Sequence, residues 1–230
     1  MTLPTAGKTL ARAVIFLGPP GAGKGTQARL VAAQFGVPHL STGDMLRENI
    51  SRGTELGLLA KPVMEKGDLV SDALVQRMVE ERIARPDCRN GFVFDGFPRT
   101  LAQAEALDGI LEKHRLGSPA VIYFNVADDI LTRRLAGRRT CKTGGEIYNI
   151  YEHPPKVEGR CDVDGGELIQ RADDRPEVVR ERLAEYERQT KALVGYYRSR
   201  GVLEEIDGVA SLDTVTASVF GALANLEGRA

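Results

Sequence analysis

Residues 18–26 read GPPGAGKGT. Gly18, four residues, then Gly23 and Lys24 is the spacing of a phosphate-binding loop. Glycines let backbone amides turn inward toward phosphate oxygens, and a helix starting just after them adds positive potential. Lys24 brings a point charge for the outer phosphates. One position departs from the usual form. Gly25 stands where such loops place a magnesium-binding serine or threonine, and the hydroxyl comes one place later, on Thr26. A second set of candidates is cationic. Arg134, Arg138 and Arg139 precede a stretch rich in glycine and proline, and Arg171 and Arg182 follow it. Arginine can grip phosphate through two parallel hydrogen bonds, which lysine cannot. His39, His114 and His153 are scattered, so no histidine is expected to act as an acid or base.

These residues need a frame. AVIFLG (13–18) is a short apolar run that enters the glycines, as a buried strand would. GTQARLVAAQFG then reads as a helix ending at Gly36. Further strands are expected at 38–41, 91–95, 120–126 and 202–207. Helical patterning fills 43–84, with breaks at Gly53, Gly57 and Gly67, and returns at 101–114, 128–138, 177–200 and 211–226. Strands alternating with helices predict an α/β fold: a five-stranded parallel sheet with helices on both faces. Residues 140–174 break the pattern with glycine pairs, a proline pair and short alternating runs such as EIYNIY. They predict a small antiparallel insertion on the edge of the sheet. Long insertions over a site often serve as lids.

Bulk properties narrow the function. The 230 residues suffice for one core plus an insertion. Thirty-one Lys and Arg against 32 Asp and Glu leave a net charge of −1, which gives no reason to expect a nucleic-acid partner. No apolar run is long enough to span a bilayer, and the first 12 residues, read as a flexible tail, lack a secretory pattern. Cys88, Cys141 and Cys161 make no disulfide framework, which favours a reducing, cytoplasmic setting.

Taken together, GPPGAGKGTQ (18–27), STGDMLR (41–47), DGFPRT (95–100), GRR (137–139), PPKVEG (154–159) and VRERL (179–183) resemble the nucleoside monophosphate kinases, and among them the adenylate kinases with a long lid. The resemblance runs from Ala13 to about Ala210. It implies a P-loop kinase in which a helical segment, about 41–70, holds the acceptor nucleotide and a lid, about 137–174, covers the donor. It also answers the question of Gly25, since in that family magnesium is held largely through water rather than by the loop. Asp95, ending a buried strand, would orient that ion.

The remaining roles follow from the same resemblance. ATP would lie on Gly21, Ala22, Gly23, Lys24, Gly25 and Thr26, with Arg134 stacked on its adenine. Arg138 would hold its phosphates, and Ile147, Tyr148 and the backbone of Ala210 would complete that side. AMP would meet Thr42, Arg47, the backbone of Asp68, Leu69 and Val70, the turn Gly96, Phe97, Pro98 and Arg99, and Gln103 at the adenine edge. Arg171 and Arg182 would bridge the two nucleotides. Lys24, Arg99, Arg138, Arg171 and Arg182 are the expected catalytic set. The expected reaction is ATP + AMP ⇌ 2 ADP with Mg²⁺, in a protein read as a monomer. A kinase for UMP, CMP or GMP, or a nucleotide-binding module without catalysis, are the alternatives. Some relatives fold the lid around zinc. The matching positions here are Cys141, Gly144, Cys161 and Asp164, which leaves three ligands, so no zinc is expected and the cysteines should pack reduced, with hydrogen bonds in the metal's place.

Overall fold

The computed structural model describes residue 10 and residues 12–228. A five-stranded parallel sheet runs in the order β2-β3-β1-β4-β8, with β1 at Ala13–Leu17, β2 at His39–Ser41, β3 at Phe92–Asp95, β4 at Ala120–Asn125 and β8 at Leu203–Asp207. Parallel strands need covered faces, and β1 is buried at every position. Its side chains alternate between two cores. Ala13, Ile15 and Leu17 face Phe92, Phe94, Leu107 and Tyr197, while Val14 and Phe16 face Ala28, Val31, Phe124 and Val219. The first core is closed by α4 (Asp72–Ile83), α5 (Leu101–Lys113) and α8 (Ala192–Arg198), the second by α1 (Lys24–Phe35) and α9 (Leu212–Glu227).

β1 pairs with β3 on one side and β4 on the other, so the chain reverses direction across the sheet at β1. Open α/β sheets bind ligands beyond the carboxyl ends of their strands at such a point. The phosphate loop leaves β1 here, and Asp95 ends the neighbouring strand. α1 begins after Gly23, at φ 93°, and stops at Gly36, at φ 64°, whose N–H donates to the Ala32 carbonyl. Left-handed glycine at a helix end is the common C-terminal stop.

Two inserts flank the switch point. α2 (Thr42–Ser51) and α3 (Glu55–Lys66) pack against one another. Of the expected breaks, Gly53 lies between them and Gly67 caps α3, but Gly57 is inside α3. A Cβ there would stand 2.1 Å from the Asn49 carbonyl oxygen, so this glycine serves close helix approach, not interruption. The other insert follows α6 (Asp128–Gly137) and is a separate sheet of order β6-β5-β7, with β5 at Arg138–Cys141, β6 at Ile147–Asn149 and β7 at Leu168–Ile169. It therefore does not extend the central sheet's edge.

Further corrections concern single elements. Arg138 and Arg139, read as the end of a helix, are the first residues of β5, because Arg138 turns extended and pairs with Asn149. The helix expected over 177–200 is α7 (Pro176–Glu185), a wider turn over Tyr186–Thr190, then α8. Most of the tail expected over 1–12 lies outside the described residues. Leu10 is buried in the second core, and Arg12 donates to the carbonyls of Ser118 and Leu226, so the tail's end is fastened to the domain.

Candidate active site

One cavity of about 950 Å³ runs from the phosphate loop, under the small sheet, to α2 and α3. It is lined by Gly21 through Thr26 at one end and by Thr42, Arg47 and Asp68–Val70 at the other. Arg99, Arg138, Arg171 and Arg182 stand between them. Arg134, Ile147, Tyr148 and Ala210 line the loop's end, and Gly96, Pro98 and Gln103 the far end. Phe97 does not belong to this wall. It is buried in the core, its ring 5.3 Å from that of Phe94.

Lys24 Nζ donates to the Gly18 and Pro19 carbonyls, both at 2.7 Å, which hold it at the centre of its own loop. Burial lowers its pKa to about 8, and the nearby Arg99, Arg182 and Arg138 push the same way against Asp95. Three of the loop's four glycines have separate reasons. Gly18 and Gly21 need φ of 148° and 87°, and a Cβ on either would meet Phe124 or Leu135. Gly25 is helical, but a Cβ there would lie 3.0 Å from Asp95 Oδ2. A serine at that place would crowd the carboxylate, which is a steric account of why the hydroxyl moves to Thr26. Burial alone would raise the Asp95 pKa, but His39, Lys24 and Arg99 hold it down at about 2. His39, dismissed from sequence as scattered, lines the cavity with Nε2 3.8 Å from Asp95 Oδ2.

At the far end Ser41 caps α2, accepting from the Asp44 N–H. Thr42 instead donates to the Gly96 carbonyl at 2.7 Å, and Arg99 Nε donates to the same carbonyl at 2.8 Å. A Cβ on Gly96 would lie 2.9 Å from Arg99 Nη2, so a side chain there would push Arg99 aside. Arg47 pairs with Asp44 at 2.5 Å. Both ends of the Gln103 amide are held by neighbours: Oε1 accepts the Arg99 N–H and Nε2 donates to Asp72.

The arginines are held by acids that sequence reasoning missed. Asp174, fully buried, takes Arg138 through two hydrogen bonds of 2.7 and 2.5 Å and Arg182 at 3.0 Å. Asp173 lies 3.2 Å from Arg182, and Glu152 3.0 Å from Arg134. The signal was the acidic pair Asp173 and Asp174 in QRADDRP, two and three residues after Arg171. The pairing is incomplete. Burial and the charge of neighbouring arginines lower Arg171 to about 9 and Arg99 to about 10. Such a group repels itself and is relieved by a polyanion.

The geometry matches what the comparisons return. A family model for adenylate kinase matches residues 16–202. The chain belongs to the adenylate kinase family. It is 48% identical to the adenylate kinase of Archaeoglobus fulgidus over 214 residues, 93% of this chain and 99% of that one. It is also 48% identical to that of Thermodesulfovibrio yellowstonii over 210 residues, 91% of this chain and 98% of the relative, and 49% identical to that of Shouchella clausii over 206 residues, 90% and 95%. The family's enzymes are phosphotransferases that act on nucleotides, and a cavity with a phosphate loop at one end and arginines along its length suits that chemistry. No helix among the described residues is long and apolar enough to cross a membrane.

The small sheet departs from expectation in two ways. Tyr148 lines the cavity, yet its ring is buried inside the insert, where its hydroxyl accepts the Asp162 N–H at 2.8 Å and lies 3.5 Å from Cys161 Sγ. The ligand count of three is corrected as well. Glu146 joins Cys141, Cys161 and Asp164, with one donor atom of each within 4.8 Å of all the others. Cys141 donates to Asp164 at 3.3 Å and Cys161 to Glu146 at 3.6 Å, so thiol–carboxylate bonds link the cluster as it stands. Gly144 contributes only its N–H, donated to Cys141 Sγ. Two thiols and two carboxylates are donors that zinc accepts.

Proposed function

We propose that this chain moves the γ-phosphoryl group of ATP to AMP, giving two ADP, with Mg²⁺. The observation that carries the reading is one cavity with phosphate-binding chemistry at both ends and four arginines, Arg99, Arg138, Arg171 and Arg182, between. In this reading the loop from Gly21 to Thr26 holds the ATP phosphates, and Thr42, Arg47 and Arg99 hold AMP. Arg138, Arg171 and Arg182 lie where charge spreads during transfer. Residues 41–70 serve as the acceptor segment and 137–174 as the lid.

Transfer needs little covalent help from the protein. The AMP phosphate has a second pKa of about 6 and is nearly a dianion at neutral pH. It needs no general base, so the chain's task is to align two phosphates, shield them and surround the transition state with positive charge. Arg29, on α1, donates to the Gly145 carbonyl of the insert at 2.8 Å, which fits a lid resting over the loop and excluding water.

Magnesium fits the oxygen chemistry present. Asp95 is ionised throughout the physiological range, is partly open to the cavity, and faces the loop at Gly25, where no side chain crowds it. Asp95 and the Thr26 hydroxyl would hold the ion, Asp95 through water, and the ion would supply positive charge to the transferred group. The reduced cysteines fit a cytoplasmic setting.

The test is ADP formation by the purified chain from ATP paired with AMP, UMP, CMP or GMP. ADP should form fastest with AMP and require both nucleotides. A preference for UMP or CMP would support the alternative kinase, and no transfer with any acceptor would leave only a binding module.

A further inference from the structure

Gln103 lies on the first turn of α5, buried, on the wall of the acceptor end. A side-chain amide can turn over and exchange its donor with its acceptor at little cost when nothing holds it. Here both ends are held. Oε1 accepts the backbone N–H of Arg99 at 2.8 Å, and that N–H can only donate. Nε2 donates to Asp72 Oδ1 at 2.7 Å, and a carboxylate can only accept. The second oxygen of Asp72 accepts from Thr100 Oγ1 at 2.8 Å, which fixes the carboxylate in turn. Thr100 is itself fixed as the cap of α5 by accepting the Gln103 N–H at 3.2 Å. The amide therefore keeps one orientation, with one N–H and one lone pair left over.

We propose that Asp72 is a positioning residue for base selection: by fixing the Gln103 amide, it makes the acceptor pocket favour a 6-aminopurine over a 6-oxopurine. The two bases present opposite patterns along that edge. A 6-aminopurine offers an acceptor at N1 beside a donor at N6. A 6-oxopurine offers a donor at N1 beside an acceptor at O6. An amide that could turn would meet either; a held one meets only the first, and the other base leaves buried polar atoms unpaired. The inference rests on AMP occupying this end of the cavity.

The experiment measures kcat and KM for AMP and for IMP in the unaltered chain and in Asp72→Ala, Asp72→Ser and Asp72→Asn. Serine keeps a residue suited to a helix start but is too short to reach Gln103. Asparagine keeps both bonds, its oxygen accepting from Gln103 and its N–H₂ donating to Thr100. In the alanine and serine variants KM for AMP should rise, kcat at saturating AMP should change little, and the ratio of kcat/KM for AMP over IMP should fall about tenfold. The asparagine variant should keep the ratio. Equal losses on AMP and IMP, or an unaltered chain that does not distinguish them, would overturn the role of Asp72 while leaving transfer intact. Absence of transfer to AMP in the unaltered chain would instead overturn the reading on which it rests.

Discussion

Gly57 offers a prediction whose size follows from the coordinates. It sits in the first turn of α3, where its N–H donates to the Thr54 hydroxyl at 3.1 Å. Thr54 in turn donates to the Asn49 side chain at 2.7 Å, so the end of α2 and the start of α3 are knitted together. A methyl group added at Gly57 would lie 2.1 Å from the Asn49 carbonyl oxygen and 2.4 Å from its carbon. Carbon and oxygen rest at roughly 3.3 Å or more, so the helices must part by about 1 Å. The obstacle is backbone, which cannot swing aside. Forced overpacking typically costs about 1–3 kcal/mol, and about 2 kcal/mol corresponds to roughly thirtyfold in an equilibrium. α2 carries Thr42 and Arg47, and α3 leads into Asp68–Val70, so the loss should fall on the acceptor. Gly57→Ala should raise KM for AMP by about ten- to thirtyfold while leaving ATP affinity, read by titration, near its original value. Gly53→Ala is the control, since a Cβ there meets nothing within 4 Å and only its φ of 63° is strained. A Gly57→Ala chain with unchanged KM for AMP would refute the close-approach argument.

Lys24→Met should lower kcat by about 10²–10³, the usual cost of one aimed donor, with the fold intact by circular dichroism. pH dependence has a definite sign. Lys24 has a folded pKa of about 8 against an ordinary 10.5, so between those values the unfolded chain binds more protons and stability of the ligand-free protein should rise with pH. Phosphate binding favours the charged lysine, so calorimetry should find proton uptake on ATP binding above pH 8; proton release would contradict the assignment. Asp95 acts at the other end: stability present above its ordinary 3.8 should be lost as pH falls toward about 2, and Asp95→Asn should remove that part of the acid transition. With four donors at the lid, protein grown with ample zinc should carry one ion per chain by metal analysis, lost on Cys161→Ser or Glu146→Gln, and a metal-free lid would restore the expectation drawn from three ligands.

The central sheet was legible because its three inner strands, β1, β3 and β4, are short apolar runs bounded by glycine, proline or charge, and all five strands appear within a residue or two of where the pattern put them. The phosphate loop was legible because its spacing is a backbone requirement. What escaped was set by contacts between distant segments. Asp174 is one charge among many in sequence, and only the fold places it beneath Arg138 and Arg182. Gly57 looked like a helix breaker because glycine does lower helix propensity, while its true neighbour, Asn49, is on another helix. Phe97 was carried into the acceptor turn with its motif, although a phenylalanine among Phe92 and Phe94 also fits a core, which is where it packs. Glu146 was missed from the cysteine cluster because a spacing rule counts positions, whereas a carboxylate two residues further on reaches the same point.

The central claim is that two nucleotides share one cavity with their phosphates meeting among Arg138, Arg171 and Arg182. It is tested most directly by titrating the chain calorimetrically with a compound that joins two adenosines through a chain of five phosphates, long enough to stand for ATP and AMP together. The account predicts one molecule bound per chain, with an affinity well above that of either nucleotide and loss of binding to both once it is in place. Binding of two such molecules, or undiminished AMP binding in its presence, would mean that the ends of the cavity are separate sites, and the account would fail.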